Sequence, residues 1–299
     1  MEFSTLDTLF NLALLLFWFR IWTPTDDQEV SLNPYVAPMG GLADSLIRAL
    51  RPIGFGAPPP AIAAVALLIL IVFRGLAVPC ESLPWVLSMG LQLSQADAGG
   101  IAAPVVFSFL SFAVFLFKLW TLSVLLTGPG HPAGGSLAQG AVYFVARPFS
   151  DLWAALRPLL LLVLGMDVAF LLGSYGKPVS GLPISHLGAV SIPDWRVAPL
   201  PLLPVKLGFC ALSGGVDVLA IFVQILVWLI MLSWLCQLMA MQEALVRCRE
   251  WIDLFLGRMR RLKFHVGIVD LTPVVAVVLL LLTQVLLQGI LISGYVALP

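Results

Sequence analysis

PVVAVVLLLLTQVLLQGILISGYVAL, Pro273–Leu298, runs for twenty-six residues without a charge. A hydrocarbon core about 30 Å thick is crossed by roughly 20 apolar residues of helix. Several similar runs precede this one. Of the 299 residues, 60% are hydrophobic and only 11% charged, too few charges to cover a water-soluble globule of this length. Mean hydropathy is +1.03. The chain reads as an all-α polytopic membrane bundle.

Measured against the same length criterion, six stretches qualify: Leu6–Trp22, Ala61–Val78, Ala103–Thr127, Leu159–Gly173, Val216–Ala240 and Pro273–Leu298. Basic residues set their orientation. The segments after the first, third and fifth stretches hold Arg20, Arg48, Arg51, Arg147, Arg157, Arg247, Arg249, Arg258, Arg260, Arg261 and Lys263. The other side receives Lys177, Arg196 and Lys206. Positive residues stay cytoplasmic, so an even number of spans with both termini outside is predicted. Glu2 and Asp7 replace the basic n-region of a signal peptide, so the first stretch is expected to remain as an anchor.

Asp44–Pro52 reads DSLIRALRP, Asp151–Pro158 reads DLWAALRP and Asp253–Arg261 reads DLFLGRMRR. Their spacing of about 105 residues indicates an internal repeat of span, amphipathic segment, span. The units are 1–100, 101–207 with a Pro-rich outer loop, and 208–299. In the third, Trp251, Ile252, Leu254 and Phe255 alternate with Arg247, Arg249, Arg258 and Arg261 at near-helical spacing. Such a helix either lies in the headgroup plane with arginines toward phosphates, or packs on its own protein.

RMRRLKFH (Arg258–His265), GIVDLTPVV (Gly267–Val275) and the span that follows resemble the YggT family of small bacterial membrane proteins. NPYV (Asn33–Val36) and the arginines of DSLIRALRP resemble the opening of the same unit. Repeat one has GAPPP (Gly56–Pro60) in place of the Asp-Leu-Ser-Pro element, and repeat two keeps only DLWAALRP. The family usually carries two units, whereas this chain holds three. The resemblance implies a non-enzymatic, multi-pass protein of the bacterial inner membrane. It implies a role in organising or assembling membrane components, with lipids and other membrane proteins or further copies as partners. Arg247, Arg249, Arg258, Arg260 and Arg261 are the expected lipid or partner contacts.

Thr272 before Pro273 reads as an N-cap followed by proline at the first helical position, and Asp270 places negative charge by the helix N-terminus. Besides Asp7 and Arg20 near the ends of the first stretch, four ionisable residues fall inside the apolar stretches: Arg74, Lys118, Asp167 and Asp217. Lys118 and Asp167 each lie nine residues from a cytoplasmic end, about 13 Å deep at 1.5 Å per residue. They are expected to form an intramembrane ion pair that fixes helix register; a proton or ion relay and a subunit contact are the alternatives. Gln224, Gln284 and Gln288 are candidates for hydrogen bonds between the fifth and sixth spans.

Cys80, Cys210, Cys236 and Cys248 form no CxxC pair, and are either packed thiols or, for Cys80 and Cys210, an outer-face pair. No GxxxxGK[ST], GxGxxG after a strand, or HExxH occurs, so no catalytic, cofactor or metal residue is expected. A formal net charge of zero gives no bulk attraction to nucleic acid. An ion or small-solute channel or transporter, and a fixed subunit of a larger membrane complex, remain the alternative functions.

Overall fold

Hydrocarbon leaves a backbone N–H no partner outside its own segment, so an apolar stretch of this length closes on itself as helix. A computed structural model of the chain describes residues 2–24, 27–52, 56–77, 93–94, 102–127, 136–175, 177–178, 182–183, 189–190, 200–257, 264–266 and 269–298. The long helices are α1 (Glu2–Trp22), α4 (Pro59–Ala77), α5 (Ala102–Thr127), α7 (Arg157–Tyr175), α8 (Leu203–Leu238) and α10 (Thr272–Ala297). Between them lie α2 (Gln28–Leu32) and α3 (Ala37–Leu50), then α6 (Leu137–Val145) with the 3₁₀ turn Phe149–Asp151, then α9 (Gln242–Leu256). Among the described residues the remaining regular structure consists of a 3₁₀ turn at Leu200–Leu202 and two-residue antiparallel pairs. One of them joins Leu93–Ser94 to Lys177–Pro178, so the connection after α4 meets the connection after α7.

Neighbours in sequence are neighbours in space: α1 packs on α4, α4 on α5, α5 on α7, α7 on α8 and α8 on α10. Leu14, Phe17, Leu67, Ile71, Phe112 and Leu116 fill the space between α1, α4 and α5. Val114, Phe117, Leu161 and Val168 do so between α5 and α7. Close crossings occur where glycine removes a side chain. A Cβ on Gly165 of α7 would meet Ala211 Cβ of α8 at 2.8 Å and Phe117 Cε2 of α5 at 3.0 Å. Small residues of this kind let helix backbones approach in lipid, where no hydrophobic force drives association.

Among the described residues four helices are long and apolar enough to cross a membrane: Pro59–Ala77, Pro104–Thr127, Leu203–Leu238 and Thr272–Tyr295. The apolar part of α1, Leu9–Trp22, is shorter, and α7 has 19 residues with Asp167 inside it. Their outer faces are hydrocarbon. Val278, Leu282, Leu286 and Ile290 follow one another at four-residue intervals along an exposed stripe of α10, as do Val65, Ile69 and Phe73 on α4. In water such stripes would be a large exposed apolar patch; against lipid they are the ordinary surface of a membrane protein.

Three expectations shift in detail. The helix expected from Val216 begins at Leu203, because Pro204 sits in the first turn of α8, where its missing N–H has no helical partner to lose. The Pro-rich segment therefore ends at Leu202, four residues before Lys206. The N-cap of α10 is Leu271, not Thr272; α10 starts at Thr272, with Pro273 in its first turn. The Thr272 hydroxyl instead accepts a hydrogen bond from Phe264 N at 3.1 Å. Asp270 lies in a two-residue pair with His265. Finally, the apolar side of α9 does not turn to lipid. Ile252, Phe255 and Leu256 pack with Phe222, Leu226 and Ile230 of α8 and Ala276 of α10, and the Phe222 and Phe255 rings lie 4.5 Å apart.

Candidate functional site

The short helices gather at one end of the bundle, and their polar groups tie them together. Asp27 caps α2 by accepting from Glu29 N at 3.1 Å and Val30 N at 3.4 Å. Its other carboxylate oxygen accepts from Arg147 Nη1, beyond α6, at 3.2 Å. The Arg147 guanidinium lies 4.8 Å from the Phe144 ring centroid and 5.4 Å from that of Tyr143. It also stands 3.7 Å from Asp151 of the DLWAALRP segment. The Trp18 indole, on α1, donates to the Arg147 carbonyl at 3.1 Å. Asp44, the first residue of DSLIRALRP, pairs with buried Arg20 at the end of α1. In both segments the leading aspartate, Asp44 or Asp151, lies against an arginine.

Asn33 opens the NPYV turn. Its side-chain oxygen accepts from Tyr35 N at 3.0 Å, closing the turn, and its Nδ2 donates to Leu137 O of α6 at 2.8 Å. Gly140 makes room for that contact: a Cβ there would lie 3.2 Å from Asn33 Nδ2. The turn aims Tyr35 at α9, where its hydroxyl donates to Glu250 Oε2 at 2.6 Å. Glu250 Oε1 accepts from Ala138 N, in the first turn of α6, at 3.1 Å. One carboxylate thus holds the first, second and third connecting segments. It also meets the positive end of the α6 dipole. Burial, and then the hydrogen bond to Glu250, push the Tyr35 hydroxyl above the usual phenol range, while nearby Arg247 opposes the shift. Burial and the bond to Asp151 push Tyr143 in the same direction.

Beneath this junction lies a partly open cavity of about 370 Å³. Its wall takes Met39 from α3, Leu122 and Ser123 from α5, Val142 from α6, Leu229 from α8 and Trp251 from α9. Tyr35 and Trp251 form part of its roof, edge to face with ring centroids 5.3 Å apart. A second groove, of about 620 Å³, runs along α1 and α4 between Phe17, Val65, Ile69 and Phe73.

Deeper in the bundle, Lys118 on α5 is buried, and the carboxylate whose charge reaches it is Asp217 on α8. Gln288 on α10, also buried, donates to Asp217 Oδ1 at 3.2 Å. Asp167, the acid expected beside Lys118, lies on an exposed face of α7. A glutamine bond between α8 and α10 is present at Gln288. Near the far end, buried Arg74 donates to Ser111 Oγ at 2.9 Å, joining α4 to α5.

Arg247 and Arg249 are exposed on α9. Arg258, Arg260, Arg261 and Cys80 lie outside the described residues, and Cys210 is a buried free thiol. Among the described residues no group of three or more His, Cys, Asp or Glu is placed to hold a metal ion. Neither Glu250 nor Asp27 stood out in the sequence. Glu250 is an acid between Arg249 and Trp251 in a basic segment, a local oddity that signals a partner elsewhere in the chain. No family model, no curated protein and no solved structure matches this chain.

Proposed function

We propose that this is a non-enzymatic, YggT-like protein of the bacterial inner membrane that organises or helps assemble other membrane components. In this reading the six long helices span the bilayer as three hairpins, with the tied short helices on the cytoplasmic side. The observation that carries it is the Glu250 bridge. By joining Tyr35 and Ala138 to α9, it converts three separate connections into one rigid interfacial platform. Arg48, Arg51, Arg247 and Arg249 are exposed on the helices of that platform or just beyond them, suited to anionic headgroups at about 1 kcal/mol per basic residue near the surface. The outward stripe on α10 offers a flat Val/Leu face to a partner span.

Purification in mild detergent followed by mass spectrometry tests the assembly role; a chain that emerges without any membrane-protein partner counts against it. Cysteines introduced at exposed Ser136 and Arg249 are to be labelled from the cytoplasmic side only; labelling from outside alone overturns the orientation. The Lys118–Asp217–Gln288 cluster favours a second reading, an ion or small-solute transporter, because buried charges in a span often mark a polar path. Ion flux through pure protein in liposomes would put that reading first.

A further inference from the structure

The 370 Å³ cavity under the junction is walled by hydrocarbon side chains of five helices and roofed by an aromatic pair. Its hydroxyl groups are already engaged within the protein: Ser123 donates to the Trp120 carbonyl at 2.7 Å, and Tyr35 donates to Glu250. A polar solute would find little to replace its hydration there, and apolar cavities of this kind stay dry and take hydrocarbon. An unfilled space this large forfeits the dispersion contacts of its lining.

The chemistry at the rim is different. Arg247 is exposed on α9, about one helical turn before Trp251 of the roof. Arg249 is exposed on the same helix. A ligand suited to both regions has an unbranched apolar tail and an anionic head. From this juxtaposition we infer that the cavity holds one acyl chain of an anionic phospholipid, whose phosphate lies at Arg247. The wall is built from the last third of α5 and the second half of α8, and the roof from α3, α6 and α9, so a chain seated there leaves its headgroup at the platform. The lipid then acts as a structural filler at the meeting point of three units. This inference rests on the membrane-platform reading. It is read out by lipid occupancy, whereas that reading is read out by co-purifying proteins, so either fails independently of the other.

The test uses the full chain in nanodiscs of phosphatidylcholine doped with phosphatidylglycerol carrying a diazirine in its acyl chain. Two further arms carry the same diazirine chain on phosphatidylcholine and on free palmitate. After photolysis, peptide mapping is expected to find adducts at Met39, Leu122 and Val142, strongest with phosphatidylglycerol. Val142→Trp, which fills the cavity, should lower these adducts about tenfold while leaving those at Leu282 and Leu286 on the α10 exterior unchanged. Arg247→Gln should remove the preference for phosphatidylglycerol over phosphatidylcholine without abolishing labelling. Adducts confined to exterior residues, or undiminished in Val142→Trp, overturn the inference. Stronger labelling by palmitate, or no difference between the two phospholipids, overturns the assignment of the head. Ser123→Leu on the opposing wall provides the same block if Val142→Trp does not yield monodisperse protein.

Discussion

Replacing Glu250 by alanine should loosen the whole junction, because two donors lose one charged acceptor. Tyr35 OH approaches Oε2 at 2.6 Å and Ala138 N approaches Oε1 at 3.1 Å, with Glu250 half-buried. Hydrogen bonds to charged groups contribute about 1.5–3 kcal/mol each, and partial exposure places these at the low end, so Glu250→Ala should destabilise by about 2–4 kcal/mol. Glu250→Gln keeps the amide oxygen for Ala138 and is expected to lose about half of that. Tyr35→Phe alone should lose about 1–2 kcal/mol. Because the two side chains share one bond, the double variant Glu250→Ala/Tyr35→Phe should fall short of additivity by about 1 kcal/mol. Unfolding in mixed micelles with increasing dodecyl sulfate, followed by circular dichroism, measures all four. Strict additivity would refute the bridge. So would a glutamine variant as weak as the alanine variant, since it would make the charge itself, not the acceptor geometry, the source of stability.

Lys118 is buried and Asp217 is the acid whose charge acts on it, so Lys118→Met should destabilise by about 3–5 kcal/mol and adding Asp217→Leu should recover most of the loss. Asp167→Leu, at an exposed position of α7, is expected to be near neutral and to give no recovery when combined with Lys118→Met in the same unfolding assay. Gly165→Val places a side chain against Ala211 and Phe117, with a first contact of 2.8 Å; a loss of about 1–3 kcal/mol is expected, and an unchanged thermal midpoint would show that α7 and α8 can separate freely. The raised pKa values of Tyr35 and Tyr143 make folding alkali-sensitive. The unfolded phenols ionise near pH 10 while the folded ones stay protonated, so their contribution is fully present below about pH 10 and declines above it. Thermal midpoints should hold from pH 7 to 9 and drop by pH 11, and Tyr35→Phe/Tyr143→Phe should flatten that drop.

The helices themselves were written in composition and run length. The uncharged stretch after Pro273 becomes α10, and the apolar runs around Leu67, Val114 and Leu226 become α4, α5 and α8. This much is local: a helix satisfies its own backbone within the segment, and about 1.5 Å of rise per residue converts length into span. The alternation of Trp251, Ile252 and Phe255 with arginines likewise marked α9 as two-sided, though not what would cover its apolar side. That was decided by Phe222 and Leu226 on α8. That Asp167 lies on an exposed face of α7 was also out of reach, because each residue turns a helix by about 100° and depth alone does not fix which face meets a neighbour. The Glu250 junction was the least legible of all. Asn33, Tyr35, Ala138, Arg147 and Glu250 come from three distant segments, and only the close packing of α1 through α10 brings their donors and acceptors within 3.2 Å of partners. Sequence sets which groups exist and which helix carries them; tertiary packing sets helix rotation, and with it every bond between segments.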